Sequence, residues 1–184
     1  MKKNTLTLLI VMLATMACPL LGCTDADASG LEIKSSAVSD CGGFRTSDMA
    51  LTDESAQSDY CDAEVLKWWY DEETETLSLL NARVFLNCCG EHGFATRMAD
   101  NGTYIVTETD KPLKGGGRCG CMCVFDYEIS LEDIPAQEIS LKLGRDVKDG
   151  ESSTVWKGTL DLTGSNSDTI IIEEGGGDGL CESL

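Results

Sequence analysis

Residues 119–131 read CGCMCVFDYEISL, and the reading of this stretch decides the fold. Cys119, Cys121, Cys123, Phe125, Tyr127, Ile129 and Leu131 recur at every second position. A period of two sets them on one face of a β-strand, because successive side chains of a strand point to opposite sides. Asp126, Glu128 and Ser130 then face water. Working outward, Leu80, Ala82, Val84, Leu86 and Cys88 alternate in the same way. So do Ile139, Leu141 and Leu143 with Ser140 and Lys142, and Trp156, Leu160 and Leu162 with Lys157, Thr159 and Asp161. Ile170 to Ile172 make a short apolar strand, and Trp68-Trp69-Tyr70 lie on another, with the two indoles facing opposite sides. Turn signals separate these runs. Asp71 to Glu75 sits between two of them, Asp100-Asn101-Gly102 offers a glycine where a hairpin needs positive φ, and Lys148-Asp149-Gly150 and Thr163 to Asn166 read as loops. No segment sustains the 3.6-residue period of an amphipathic helix. The expectation is an all-β domain, an antiparallel β-sandwich or partly open barrel of about eight strands.

The composition fits a folded domain, with 42% hydrophobic and 25% charged residues. Fourteen Lys and Arg stand against 32 Asp and Glu, for a net charge of −18. That balance argues against nucleic-acid binding, because neutralising phosphates needs clustered cations. It argues equally against a basic patch that grips anionic lipid.

The chain begins MKKNTLTLLIVMLATMACPLLGC. Lys2 and Lys3 form a positive start, and Leu6 to Ala17 an apolar run too short to span a bilayer. Leu20-Leu21-Gly22-Cys23 resembles the lipobox of bacterial lipoproteins. The resemblance implies a signal peptide over 1–22, cleavage after Gly22, diacylation of the Cys23 sulfur and acylation of the new amino terminus. Several acyl chains would hold the protein stably on a membrane, anchored and not spanning. Loss of two lysines would leave 12 − 32 = −20. Thr24 is not the Asp that resembles an inner-membrane retention signal, which favours the outer membrane. Residues 23–40 read as the lipidated cysteine and a flexible tether, and 41–184 as the Cys-rich domain with a Gly-rich tail. Asp25 and Asp27 begin no calcium loop.

Ten cysteines, less Cys18 in the leader and Cys23 for lipid, leave eight: Cys41, Cys61, Cys88, Cys89, Cys119, Cys121, Cys123 and Cys181. An even number outside the cytosol points to disulfides. Residues two apart on a strand lie roughly 6.5–7 Å from each other. A disulfide needs Cβ atoms about 3.8 Å apart, so Cys119, Cys121 and Cys123 should not pair among themselves. Cys88 and Cys89, on opposite strand faces, should take different partners. One would crosslink the core and the other tie down a terminal segment carrying Cys41 or Cys181.

A second reading is a soft-metal site. Cys88, Cys89, His92, Cys119, Cys121 and Cys123, with the Met122 thioether, offer ligands that select copper or zinc. The spacing is not the two-residue knuckle of zinc ribbons. A third reading is a thiol-dependent enzyme built on His92, the chain's one imidazole, beside Glu91 in a Gly90–Gly93 connection. Gly115-Gly116-Gly117, flanked by Lys111, Lys114 and Arg118, lacks the ending and the helix of a phosphate loop. There is no Cys-x-x-Cys at a helix start.

Cys121-Met122-Cys123-Val124-Phe125-Asp126-Tyr127, with the Cys88-Cys89 pair, resembles uncharacterised Cys-rich lipoproteins of gut and soil bacteria. That resemblance implies an envelope location and β architecture, and no activity. The leading expectation is a lipid-anchored, disulfide-stabilised, non-enzymatic binding or structural module without a cofactor. Its partners would be the membrane and an unidentified protein or glycan; the second indole of Trp68-Trp69 reads as edge-strand packing, with stacking on a sugar or partner as the alternative.

Overall fold

A computed structural model of the chain describes residues 31–44, 63–147 and 152–173. They form nine strands and no helix. The strands are β1 (Ile33–Val38), β2 (Glu64–Asp71), β3 (Thr76–Asn87), β4 (Gly90–Met98), β5 (Tyr104–Pro112), β6 (Met122–Leu131), β7 (Glu138–Val147), β8 (Ser153–Asp161) and β9 (Ser167–Glu173). They divide into two sheets, ordered β1-β6-β3-β2-β9 and β4-β5-β7-β8, so the architecture is a sandwich and not a closed barrel. All pairs are antiparallel except β5 with β7, which is parallel. The leader, Cys23, Cys61, Cys181, the loop at 148–150 and the Gly-rich tail lie outside the described residues. Residues 33–38, read from sequence as part of a tether, form β1 and pair with β6.

Alternation places the core as expected for most strands. Leu66, Trp68, Tyr70, Leu77, Leu79, Ile129 and Leu131 meet Tyr104, Val106, Leu141, Leu143 and Leu160 across the sandwich. Trp68 is buried in this core while Trp69 faces the other way, over Ala63, Val65, Leu80 and Ala82. Gly102, at φ 77°, turns the β4–β5 hairpin, a conformation that costs glycine least.

β3 departs from the sequence reading. Leu77 and Leu79 face the core, but Leu80 and Ala82 belong to the outer cluster, and Val84 and Leu86 face inward again. The register against β6 shifts between Asn81 and Val84, and Arg83 takes φ 66°. This is a β-bulge. One extra residue switches the faces of everything beyond it. The bulge is held by Asp126, whose carboxylate accepts the Arg83 N–H at 2.9 Å and the Phe44 N–H at 3.0 Å. Asp126 is therefore a backbone anchor and not a solvated outward residue. Ser130 is likewise buried, 2.8 Å from the Ser78 hydroxyl, because β1 and β3 flank β6 on both sides.

Asn81, the last residue before the bulge, follows Leu77 and Leu79 onto the inward face. Its side-chain amide donates to Glu64 at 2.9 Å and to Glu108 at 2.7 Å. Parallel pairing sets Glu108 directly beside Arg145. The guanidinium reaches Glu108 at 2.9 Å and Glu64 at 2.6 Å. A polar layer thus closes one end of the apolar core. Burial pushes the Glu108 carboxyl from 4.5 up to about 7, against the pull of Arg145 and the Asn81 hydrogen bond. The folded chain holds this proton more tightly than the unfolded chain does. Its stabilising contribution is complete below 4.5 and is lost as pH rises to about 7. Measured against Glu108→Gln, the unfolding free energy of the native protein is expected to fall across that window. The slope is about 1.4 kcal/mol per pH unit at most. Chemical denaturation at several pH values reads it, and a rise across the window would refute the assignment.

Candidate functional site

The cysteines gather at two of the four places where the described strands cross between sheets. The first crossing runs from β3 to β4 through Cys88 and Cys89. The second runs from β5 to β6 through residues 113–121. Disulfides join Cys88 to Cys121 and Cys89 to Cys119, each with Cα atoms 5.7 Å apart. A third joins Cys41 to Cys123, with Cα atoms 5.6 Å apart, and ties the segment after β1 to β6. Every cysteine among the described residues is in one of these bonds.

The pairing differs from the sequence reading in its reasons. Cys119 and Cys121 are not on a strand. They precede β6, and their sulfurs lie only 3.1 Å apart. Cys88 and Cys89 are turn residues, not opposite faces of one strand. Both reach into the same β5–β6 connection. Cys41 is held by Cys123 and not by either member of the vicinal pair.

Asn87 organises both crossings from the end of β3. Its amide donates to the Cys119 carbonyl at 2.7 Å and to the Cys121 carbonyl at 3.1 Å, and its side-chain oxygen accepts the Cys89 N–H at 3.0 Å. The Cys88 N–H adds a bond to the Cys121 carbonyl at 3.3 Å. One asparagine side chain satisfies three backbone groups that a strand ladder would otherwise have paired. The resulting quartet of Cys88, Cys89, Cys119 and Cys121 sulfurs lies within 4.8 Å throughout. That group includes neither Cys123 nor His92, so the six-ligand set considered from sequence is not assembled.

His92 lies in β4, not in a connecting loop, and its side chain is only 9% exposed. The ring packs on Phe125 with centroids 4.2 Å apart. Nε2 is 3.1 Å from the Asn87 carbonyl and 3.4 Å from Asp110. Both neighbours are acceptors, so Nε2 carries a proton in this arrangement. Asp110, 1% exposed, also takes Arg118 at 2.7 Å, and Arg118 donates to the Asp110 carbonyl at 2.8 Å. A side chain at Gly90 would collide with the Asp110 carboxylate, which is why a residue without Cβ opens β4. Arg118 thus pins the base of the second crossing to β5 beside the imidazole. The lone histidine is a structural strut here, held away from the sulfurs by the carbonyl and carboxylate that flank it.

A feature not seen from sequence is a groove of about 330 Å³ on the outer face of the four-stranded sheet. Arg97, Lys111 and Lys142 line it together with Thr107 and Thr109. Arg97 and Lys142 fall in one row, on either side of Ile105. The clue was the outward half of the alternation, but which strands adjoin is a matter of sheet order. Against protein-family models, curated proteins and solved structures, the chain finds no match.

Proposed function

We propose that the chain is a lipid-anchored bacterial envelope module that binds or supports a partner and performs no chemistry. The observation that carries this reading is the closure of three disulfides over a small sandwich, which suits an oxidising compartment. The chain's sole imidazole is committed to Asn87 and Asp110, where it braces structure in place of serving a nucleophile. The location rests on Leu20-Leu21-Gly22-Cys23, and the outer membrane is favoured by Thr24. A protein or glycan partner would meet the outer face bearing Arg97, Lys111 and Lys142, the one cationic groove described on an acidic chain.

Mass spectrometry of protein extracted from cells is the test. The expected mature chain starts at Cys23 with a diacylglyceryl thioether and an amide-linked acyl chain. Denatured without reductant, it should show no free thiol. An intact leader or an unmodified Cys23 would overturn the anchoring, and free thiols at the described cysteines would overturn the oxidised scaffold.

A further inference from the structure

We propose that Cys88, Cys89, Cys119 and Cys121 form a zinc(II) site when their two disulfides are reduced. The inference goes beyond the structural reading and does not require it. Zinc bound by four thiolates has bonds of about 2.3 Å in tetrahedral array, which sets the sulfurs about 3.8 Å apart. The four sulfurs already lie within 4.8 Å of one another, and Cys88 and Cys119, which are not bonded, are 3.8 Å apart. Closing the shell around one ion needs displacements of about 1 Å or less.

Hydrogen bonds as well as disulfides join the segments that present the sulfurs. Asn87 ties both crossings together through three backbone groups, and the Cys88 N–H to Cys121 carbonyl bond adds a fourth. Such contacts orient ligands from outside the coordination shell, as metal sites require. The donor set also stops at four by position, because Cys123 lies outside the group of four sulfurs and His92 is turned toward Asn87 and Asp110. A closed tetrahedral all-sulfur shell matches a structural zinc ion, and leaves no open position for a reacting water. Cys121 is exposed, which gives the ion and the reductant a way in.

The chemistry balances. Each disulfide takes up two electrons from a phosphine, which leaves as its oxide, and two protons from water, giving four thiols in all. Zinc(II) then displaces four protons and binds four thiolates. Reoxidation by a disulfide oxidant, one exchanged and reduced to two thiols for each bond formed, restores the two disulfides and releases the ion. The quartet is therefore either two crosslinks or one metal clamp, and each joins the same two crossings.

The test uses full-length protein purified in detergent, reduced anaerobically with a phosphine, freed of it and titrated with zinc(II) against a chromophoric chelator. One equivalent of zinc per chain should be retained. Zinc-edge X-ray absorption should show four sulfurs at about 2.3 Å. The C41S/C123S variant should retain the ion. The C89S/C121S variant should lose affinity by at least about 100-fold, more than the removal of an outer-shell partner costs. No retained zinc, a shell containing nitrogen or oxygen donors, or undiminished binding by C89S/C121S would overturn the proposal. The absorption measurement on the native sequence is independent of whether any variant folds. The thiol count on unreduced protein reports separately on the oxidised scaffold.

Discussion

Arg145→Met should destabilise the domain by about 3–5 kcal/mol, the cost of leaving buried charge without its partner. Among the described residues Arg145 is the cation that bridges Glu64 and Glu108, and Glu108 is fully buried. Removing the guanidinium leaves two carboxylates sharing one Asn81 amide. Like charges at that range force one of them to take a proton. The loss should therefore be larger at pH 8 than at pH 5, where protonation relieves the repulsion. Adding Glu64→Gln and Glu108→Gln to Arg145→Met should recover most of the stability, because no uncompensated charge remains. Chemical denaturation of the single and triple variants at the two pH values measures all of this. A single variant that loses less than about 1 kcal/mol would show that the layer is not a coupled ionic network.

The second large effect concerns redundancy between disulfides. Cys88–Cys121 and Cys89–Cys119 close nested loops, with sequence separations of 33 and 30. Breaking one leaves the other holding the same two crossings. Only a loop of a few residues is released, which is worth about 2 kcal/mol on chain entropy. Breaking both releases the long loop as well, for a total of about 5 kcal/mol. Serine pairs C88S/C121S and C89S/C119S, alone and combined, should therefore be non-additive, the combined loss exceeding the sum of the two by about 1 kcal/mol or more. Equal and additive losses would mean that each bond constrains a separate part of the chain. Cys41–Cys123, with a separation of 82, encloses both of these loops, and because closure entropy changes only logarithmically with loop length its loss should add nearly independently to either.

Legibility in the sequence followed the range of the interaction involved. The period of two in Phe125, Tyr127, Ile129 and Leu131 is local, so the inward face of β6 was readable directly. The same period misread β3. Nothing in Leu80-Asn81-Ala82-Arg83-Val84 announces a bulge whose anchor, Asp126, is 43 residues away. That single extra residue returns Val84 and Leu86 to the inward face, so that Leu80 and Ala82 before them lie outside and Asn81 lies inside with Glu64 and Glu108. His92 was misplaced for a related reason. Gly90 and Gly93 resemble loop punctuation, but Gly90 is small because Asp110 occupies the space above it.

Sequence by itself determined that the chain is all-β, which residues of most strands face inward, and that Gly102 turns a hairpin. These follow from side-chain alternation and turn chemistry, which act within a few residues. Only the tertiary structure decided the division into two sheets, the parallel β5–β7 pair, the switch of face in β3, the ionic layer around Arg145 and the gathering of four sulfurs at two crossings. Each of these depends on segments brought together from tens of residues apart, where the register of one strand is set by groups on another.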